Sequence, residues 1–118
     1  MKSAAELFAE AKARVPQVTA TETIAQRAAD ASVVLIDVRE DREWNLGHAA
    51  GAIHMSRGTL ESKIDPAVPR DATVILYCAS GNRSALSAES LAQMGYTKVS
   101  SMAGGFRAWV DANGDVEG

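Results

Sequence analysis

The chain has 118 residues, enough for one domain that buries roughly two thirds of its unfolded surface. With 47% hydrophobic and 23% charged residues, it has the balance of a folded soluble domain rather than a disordered, collagen-like or coiled-coil chain. A net charge of −3 offers no basic stripe for nucleic acid and no attraction to an anionic membrane. One cysteine excludes an intramolecular disulfide framework, and two histidines, His48 and His54, leave too few ligands for a dedicated metal site.

In chain order, Ser3 and Glu6 form a capping box that opens a first helix. Ala4, Leu7, Phe8, Ala11 and Val15 share its apolar face, and Pro16 ends it. The acidic Glu6 breaks any apolar stretch of the kind a secretory signal needs, so a cytoplasmic location is expected, where a lone thiol stays reduced. A second box, Thr19 to Glu22, opens a helix to about Ala29. Val33 to Val38 and Thr73 to Tyr77 are β-branched, nearly continuous apolar runs, the pattern of strands buried on both faces of a parallel sheet. Ala52–Met55 and Lys98–Ser100 are weaker strands. Ser56–Arg70, with Gly58, Pro66 and Pro69, reads as a long irregular connection. Ser84–Met94 is a helix stopped by Gly95, and Phe106–Ala112 is a short last helix after the Gly104-Gly105 turn. Alternating strands and helices give an α/β fold with a mostly parallel sheet. Ligands of such sheets bind beyond the carboxyl ends of the strands, where Asp37 and Cys78 stand.

Cys78-Ala79-Ser80-Gly81-Asn82-Arg83-Ser84 runs from a strand end into a helix start. Gly81 permits a left-handed turn, so successive amides can converge as an anion nest. The helix start adds its positive end and Arg83 adds a full charge. Each favours thiolate over thiol, which makes Cys78 a candidate nucleophile; a buried, inert cysteine is the structural alternative. Arginine-clamped phosphate loops use C-x5-R, whereas Arg83 lies five positions after Cys78 and gives C-x4-R. The ring is one residue short for a phosphoryl group and suits one extra sulfur atom.

Three segments then carry a family resemblance. Asp37-Val38-Arg39, Glu43-Trp44, Gly47-His48-Ala49 and Gly51-Ala52 match D-V-R-x-x-x-E-[aromatic]-x-x-G-H-[I]-x-G-A, with Ala49 in place of isoleucine. Tyr77-Cys78-x-x-Gly81-x-Arg83-Ser84 is the second segment, and Met102-x-Gly104-Gly105-Phe106-x-x-Trp109 is the third. Together they resemble the rhodanese family, in particular its single-domain members. The resemblance implies a rhodanese-like α/β fold, a central mostly parallel five-stranded sheet flanked by helices. Residues 1–18 would form an N-terminal helix and lead-in strand, and residues 19–115 the family domain, within a single domain overall.

The resemblance also implies sulfur transfer. Cys78 would take sulfane sulfur from a small-molecule donor such as thiosulfate and pass it as a persulfide to cyanide, a thiol or a protein acceptor. No organic cofactor or metal is then expected, since the sulfur is carried covalently. Ala79, Ser80, Gly81, Asn82, Arg83 and Ser84 would form the persulfide-binding loop, with Arg83 attracting an anionic donor. Thiosulfate-using members often carry a cation directly after the cysteine. Here that residue is Ala79, so modest thiosulfate activity or another donor is expected. Asp37, Arg39 and Glu43 are candidates behind the loop. Asp37 and Arg39 read mainly as a structural pair, and Glu43 either approaches the site, or caps its helix, or pairs with Arg42 or Arg39. His48 and His54 read as braces of backbone, and Trp44 and Trp109 as packing aromatics. The alternatives are a rhodanese-like binding module without turnover, and a related cysteine phosphatase or arsenate reductase.

Overall fold

A computed structural model describes all residues, 1–118. In chain order its elements are α1 (Ala4–Arg14), β1 (Gln17–Val18), α2 (Ala20–Ala29), β2 (Val34–Asp37), α3 (Asp41–Asn45), β3 (His48–Ala49), β4 (Ile53–His54), α4 (Leu60–Ala67), β5 (Thr73–Tyr77), α5 (Asn82–Gln93), β6 (Lys98–Met102), α6 (Gly105–Asp111) and β7 (Val116–Glu117). Both expected capping boxes form, at Ser3 with Glu6 and at Thr19 with Glu22. The central sheet has the order β1-β6-β5-β2-β4, and every pairing in it is parallel. The apolar runs β2 and β5 occupy its middle, where both faces are covered. Strand crossovers through helices are what a parallel sheet requires.

The twofold alternation of a strand divides the interior into two cores. Ile36, Val38, Val74, Leu76, Cys78 and Val99 face one side, with Ala11 of α1 and Val15 at its C-cap, Leu60 and Ile64 of α4, and Ala85, Ala88 and Leu91 of α5. Leu35, Ile75, Tyr77 and Met102 face the other, with Ala20 of α2 and Trp109 of α6. Helix α1 lies along α5, so the N-terminal segment belongs to the same core as the rest.

One connection differs from the expectation. Residues 56–70 are not irregular, because α4 occupies Leu60–Ala67. Leu60, Ile64 and Val68 recur every four residues and are buried as one stripe. The flanking Gly58 and Pro69 obscure that spacing, and Pro66 falls in the last turn, where it removes one intrahelical N–H donor and the helix ends within two residues. The antiparallel ribbon β3–β7 carries no local sequence signal. It is two residues long on each side, and such a ribbon is held by its surroundings rather than by propensity.

Candidate active site

The carboxyl ends of β2, β5 and β6 lie side by side, with Asp37 opposite Tyr77 and Leu76 opposite Ser101. Cys78 follows β5 directly. The chain turns through Gly81 at φ 103°, a left-handed angle that a side chain resists, and enters α5. The turn brings the Gly81 amide to 3.1 Å and the Ser84 amide to 3.4 Å from Cys78 Sγ, with Ser84 Oγ at 3.5 Å. The amides of Ala79, Asn82 and Arg83 make no hydrogen bond to Sγ. Cys78 is 1% exposed. That burial pushes its thiol up, but the Ser84 hydroxyl and amide and the Ser80 and Gly81 amides outweigh it, and the thiol lies below its ordinary value. The positive end of α5, twelve residues long, points to the same place.

The third motif braces this loop from behind. Phe106 N–H donates to the Cys78 carbonyl at 2.7 Å. Gly104 and Gly105 have φ of 76° and 59°, and a Cβ at Gly105 would run into the Cys78 carbonyl and the Ala79 backbone. The double glycine therefore lets the β6–α6 turn lie against the cysteine loop.

Arg83 does not stand free. Its Nη1 and Nη2 donate to Glu43 Oε1 and Oε2 at 2.8 and 3.1 Å, a two-pronged pair between α5 and α3. Glu43 Oε1 also accepts the Glu40 amide at 3.0 Å. The Arg83 hydrogen bond, helped by that amide and by the charges of Arg83 and Arg39, carries the Glu43 carboxyl down to about 2 despite desolvation. Glu43 thus reaches the loop, but its partner is Arg83, not the expected Arg39 or Arg42. The reason is tertiary: α3 packs beside the start of α5, a neighbour that local spacing does not announce.

Asp37 and Arg39 pair with each other, as the structural reading expects. Arg39 Nε and Nη2 donate to Asp37 at 2.8–3.1 Å, and Nη2 also donates to the Gly47 carbonyl at 2.7 Å. The Arg39 guanidinium lies 4.4 Å over the Phe106 ring and 5.7 Å over Tyr77. Both side chains are almost wholly buried, so the pair fastens the β2 end to the α3–β3 turn and to α6. His48 Nδ1 meets the Trp44 carbonyl at 3.0 Å and His54 Nε2 the Arg39 carbonyl at 2.9 Å, so both act as backbone braces. Trp44 stacks on both imidazoles, at 3.4 Å and 4.9 Å between centroids. Trp109 donates to the Asp115 carbonyl at 2.8 Å.

Sequence reasoning missed Ser101. Its hydroxyl lies 2.8 Å from Ser84 Oγ, and both residues are fully buried. A serine two residues after Val99, where strand alternation calls for a second inward apolar side chain, is the available signal. The surface cavities lie elsewhere, around Arg27 and Trp109 and beside α2; none includes a residue of the cysteine loop. The loop is a shallow cradle around a covered sulfur.

A family model described as a rhodanese-like domain matches residues 20–112. A thiosulfate sulfurtransferase, GlpE, of Tolumonas auensis is 36% identical over 78 residues, which cover 66% of this chain and 73% of that protein. Among solved structures, a protein of unknown function from Rhodopseudomonas palustris, described as a possible tyrosine phosphatase, is 36% identical. It superposes with a TM-score of 0.88 over 99% of this chain and 96% of its own. The rhodanese-like domain of an Anabaena protein is 26% identical with a TM-score of 0.80, over 87% of this chain and 79% of its own.

Proposed function

Because the chain belongs to the rhodanese-like domain family, we propose that it is a sulfurtransferase that carries sulfane sulfur on Cys78. The observation that carries this reading is the pair of amide donors, Gly81 and Ser84, converging on one sulfur, with the Ser84 hydroxyl in contact with it at 3.5 Å. Such a cradle stabilises a sulfur anion. The Cys78 thiolate attacks the terminal sulfur of a donor. With thiosulfate, a new S–S bond forms to Sγ, the donor S–S bond breaks, and sulfite departs with the electron pair. The outer sulfur of the persulfide is then taken by a thiophile; cyanide leaves as thiocyanate and the Cys78 thiolate is restored. No proton need be removed from Cys78 by a separate base when the thiol is already held low.

The near-complete cover over Cys78 favours a donor with a terminal, unhindered sulfur. Charge argues for modest use of thiosulfate, a dianion. Ala79 brings no cation, and the charge of Arg83 is matched by Glu43. The similarity to a structure described as a possible tyrosine phosphatase raises phosphoryl transfer as a second reading, and the loop disfavours it. Ser84 stands where a C-x5-R loop places its arginine, and its buried side chain faces the sulfur. Arg83 is turned to Glu43.

Intact-protein mass spectrometry after incubation with thiosulfate, or with a polysulfide, tests the proposal. The expected result is a gain of one sulfur atom, removed by cyanide and absent from Cys78→Ser, whose hydroxyl is not ionised near neutral pH. No adduct from either donor would sink the reading and leave a binding module. Hydrolysis of an aryl phosphate that depends on Cys78 would replace it with the phosphatase.

A further inference from the structure

We propose that Ser101, on β6 and outside the cysteine loop, is a positioning residue: its hydroxyl holds the Ser84 hydroxyl in the orientation that donates to Cys78 Sγ. The inference deepens the sulfurtransferase reading and rests on it for its purpose, though its geometry stands independently. Ser101 pairs in register with Leu76, two residues before Cys78. Strand alternation puts Val99 and Ser101 on the face that Leu76 and Cys78 share, against α5. Val99 fills that face as an apolar residue would. A hydroxyl placed there costs free energy unless it is bonded, and the single side-chain bond of Ser101 is the 2.8 Å contact with Ser84.

A thiolate only accepts hydrogen bonds. The Gly81 and Ser84 amides are fixed donors, but the Ser84 hydroxyl is a rotor that can turn to sulfur or to Ser101. Ser101 has no other acceptor for its proton, so it donates to Ser84 Oγ and leaves the Ser84 proton to Cys78. When sulfur is protonated, S–H can donate to Ser84 only as Ser84 turns its own proton to Ser101, which leaves the Ser101 proton without an acceptor and makes that arrangement the poorer one. The two-hydroxyl chain thus follows the charge on sulfur, and each bond polarises the next. The charged groups around the sulfur are Arg83 of α5, its partner Glu43 of α3, and the nearby Glu40. Asp37 and Arg39, at the end of β2, are committed to each other. The facing half of β6, Ser100 to Met102, carries no charge, so a changed titration in a Ser101 variant reports the hydroxyl.

The test is the pH dependence of Cys78 alkylation by iodoacetamide in the wild type, Ser101→Ala, Ser101→Thr and Ser101→Cys, with sulfur loading from thiosulfate measured by mass on the same samples. In Ser101→Ala the midpoint moves to higher pH, and the thiolate fraction at a fixed pH below it falls about 2- to 10-fold, the worth of one hydrogen bond. Ser101→Thr keeps the hydroxyl and the wild-type midpoint. A wild-type midpoint in Ser101→Ala overturns the proposal. Should that variant not fold, Ser101→Cys decides, with reductant present and alkylation read on the tryptic peptide that carries Cys78, apart from the one that carries position 101: a weaker donor of nearly the same size shifts the midpoint upward, and an unshifted midpoint overturns the proposal. Failure of the wild type to load sulfur would instead strike the sulfurtransferase reading, while the midpoints still report on Ser101.

Discussion

The charge on Arg83 is spoken for before any substrate arrives. Glu43 holds it with two hydrogen bonds, and the pair makes a falsifiable claim about pH. The Glu43 carboxyl sits near 2 in the folded chain against an ordinary value of 4.5. A carboxyl lowered by folding stabilises fully above its unfolded value and loses that contribution as pH falls toward the folded one. Glu43→Gln should therefore melt below the wild type at pH 7, by about 5 °C for a screened, partly exposed pair. The gap should close between pH 4.5 and 2. A constant gap across that window in thermal melts would show that the loss is packing rather than charge. Read from sequence, Glu43 was recognisable as a candidate but its partner was not, because Arg83 lies forty residues on. The Asp37–Arg39 pair was legible, being two residues apart at a strand end.

At the scale of elements, the strand–loop–helix around Cys78 depends on the β6–α6 turn pressed against it. Gly105 is the contact point, at φ 59° and against the Cys78 carbonyl. Gly105→Ala adds left-handed strain and a backbone clash, together about 3 kcal/mol or more. It should lower the melting temperature by roughly 10 °C or more and move the pH midpoint of Cys78 alkylation upward, because the loop that holds the thiol low is displaced. Gly58→Ala is the control: a Cβ there meets nothing within 4 Å, and the change should stay within about 0.5 kcal/mol. A Gly105→Ala chain as stable as that control would mean the turn can withdraw from the loop. The long elements were readable because each carried its own signal, a capping box or a β-branched run. Helix α4 was not, because its i, i+4 stripe sits between a glycine and two prolines that usually mark loops.

Over the whole molecule, the site hangs from a sheet whose first strand and first helix precede the matched family region. Helix α1 and its C-cap cover the α5 face with Ala11 and Val15 and add the exposed Arg14–Glu89 pair at 3.1 Å, while β1 closes the sheet edge beside β6. A chain starting at residue 19 should lose both. It should melt on the order of 10 °C lower and bind a hydrophobic dye, because the α5 core side is uncovered. A truncated chain with an unchanged melt would make α1 an appendage.

The α/β class, the capped helices, the buried central strands and the cysteine loop are all written in residue types at short, fixed separations: two along a strand, three or four along a helix, five across a tight anion-binding turn. Tertiary structure alone decided which charge Glu43 meets, that Gly105 touches the Cys78 carbonyl, that residues 116–117 pair with 48–49, and that a strand serine stands behind the loop serine. Those contacts join residues far apart in the chain, and their partners are selected by how the helices and strands pack, which no local pattern encodes.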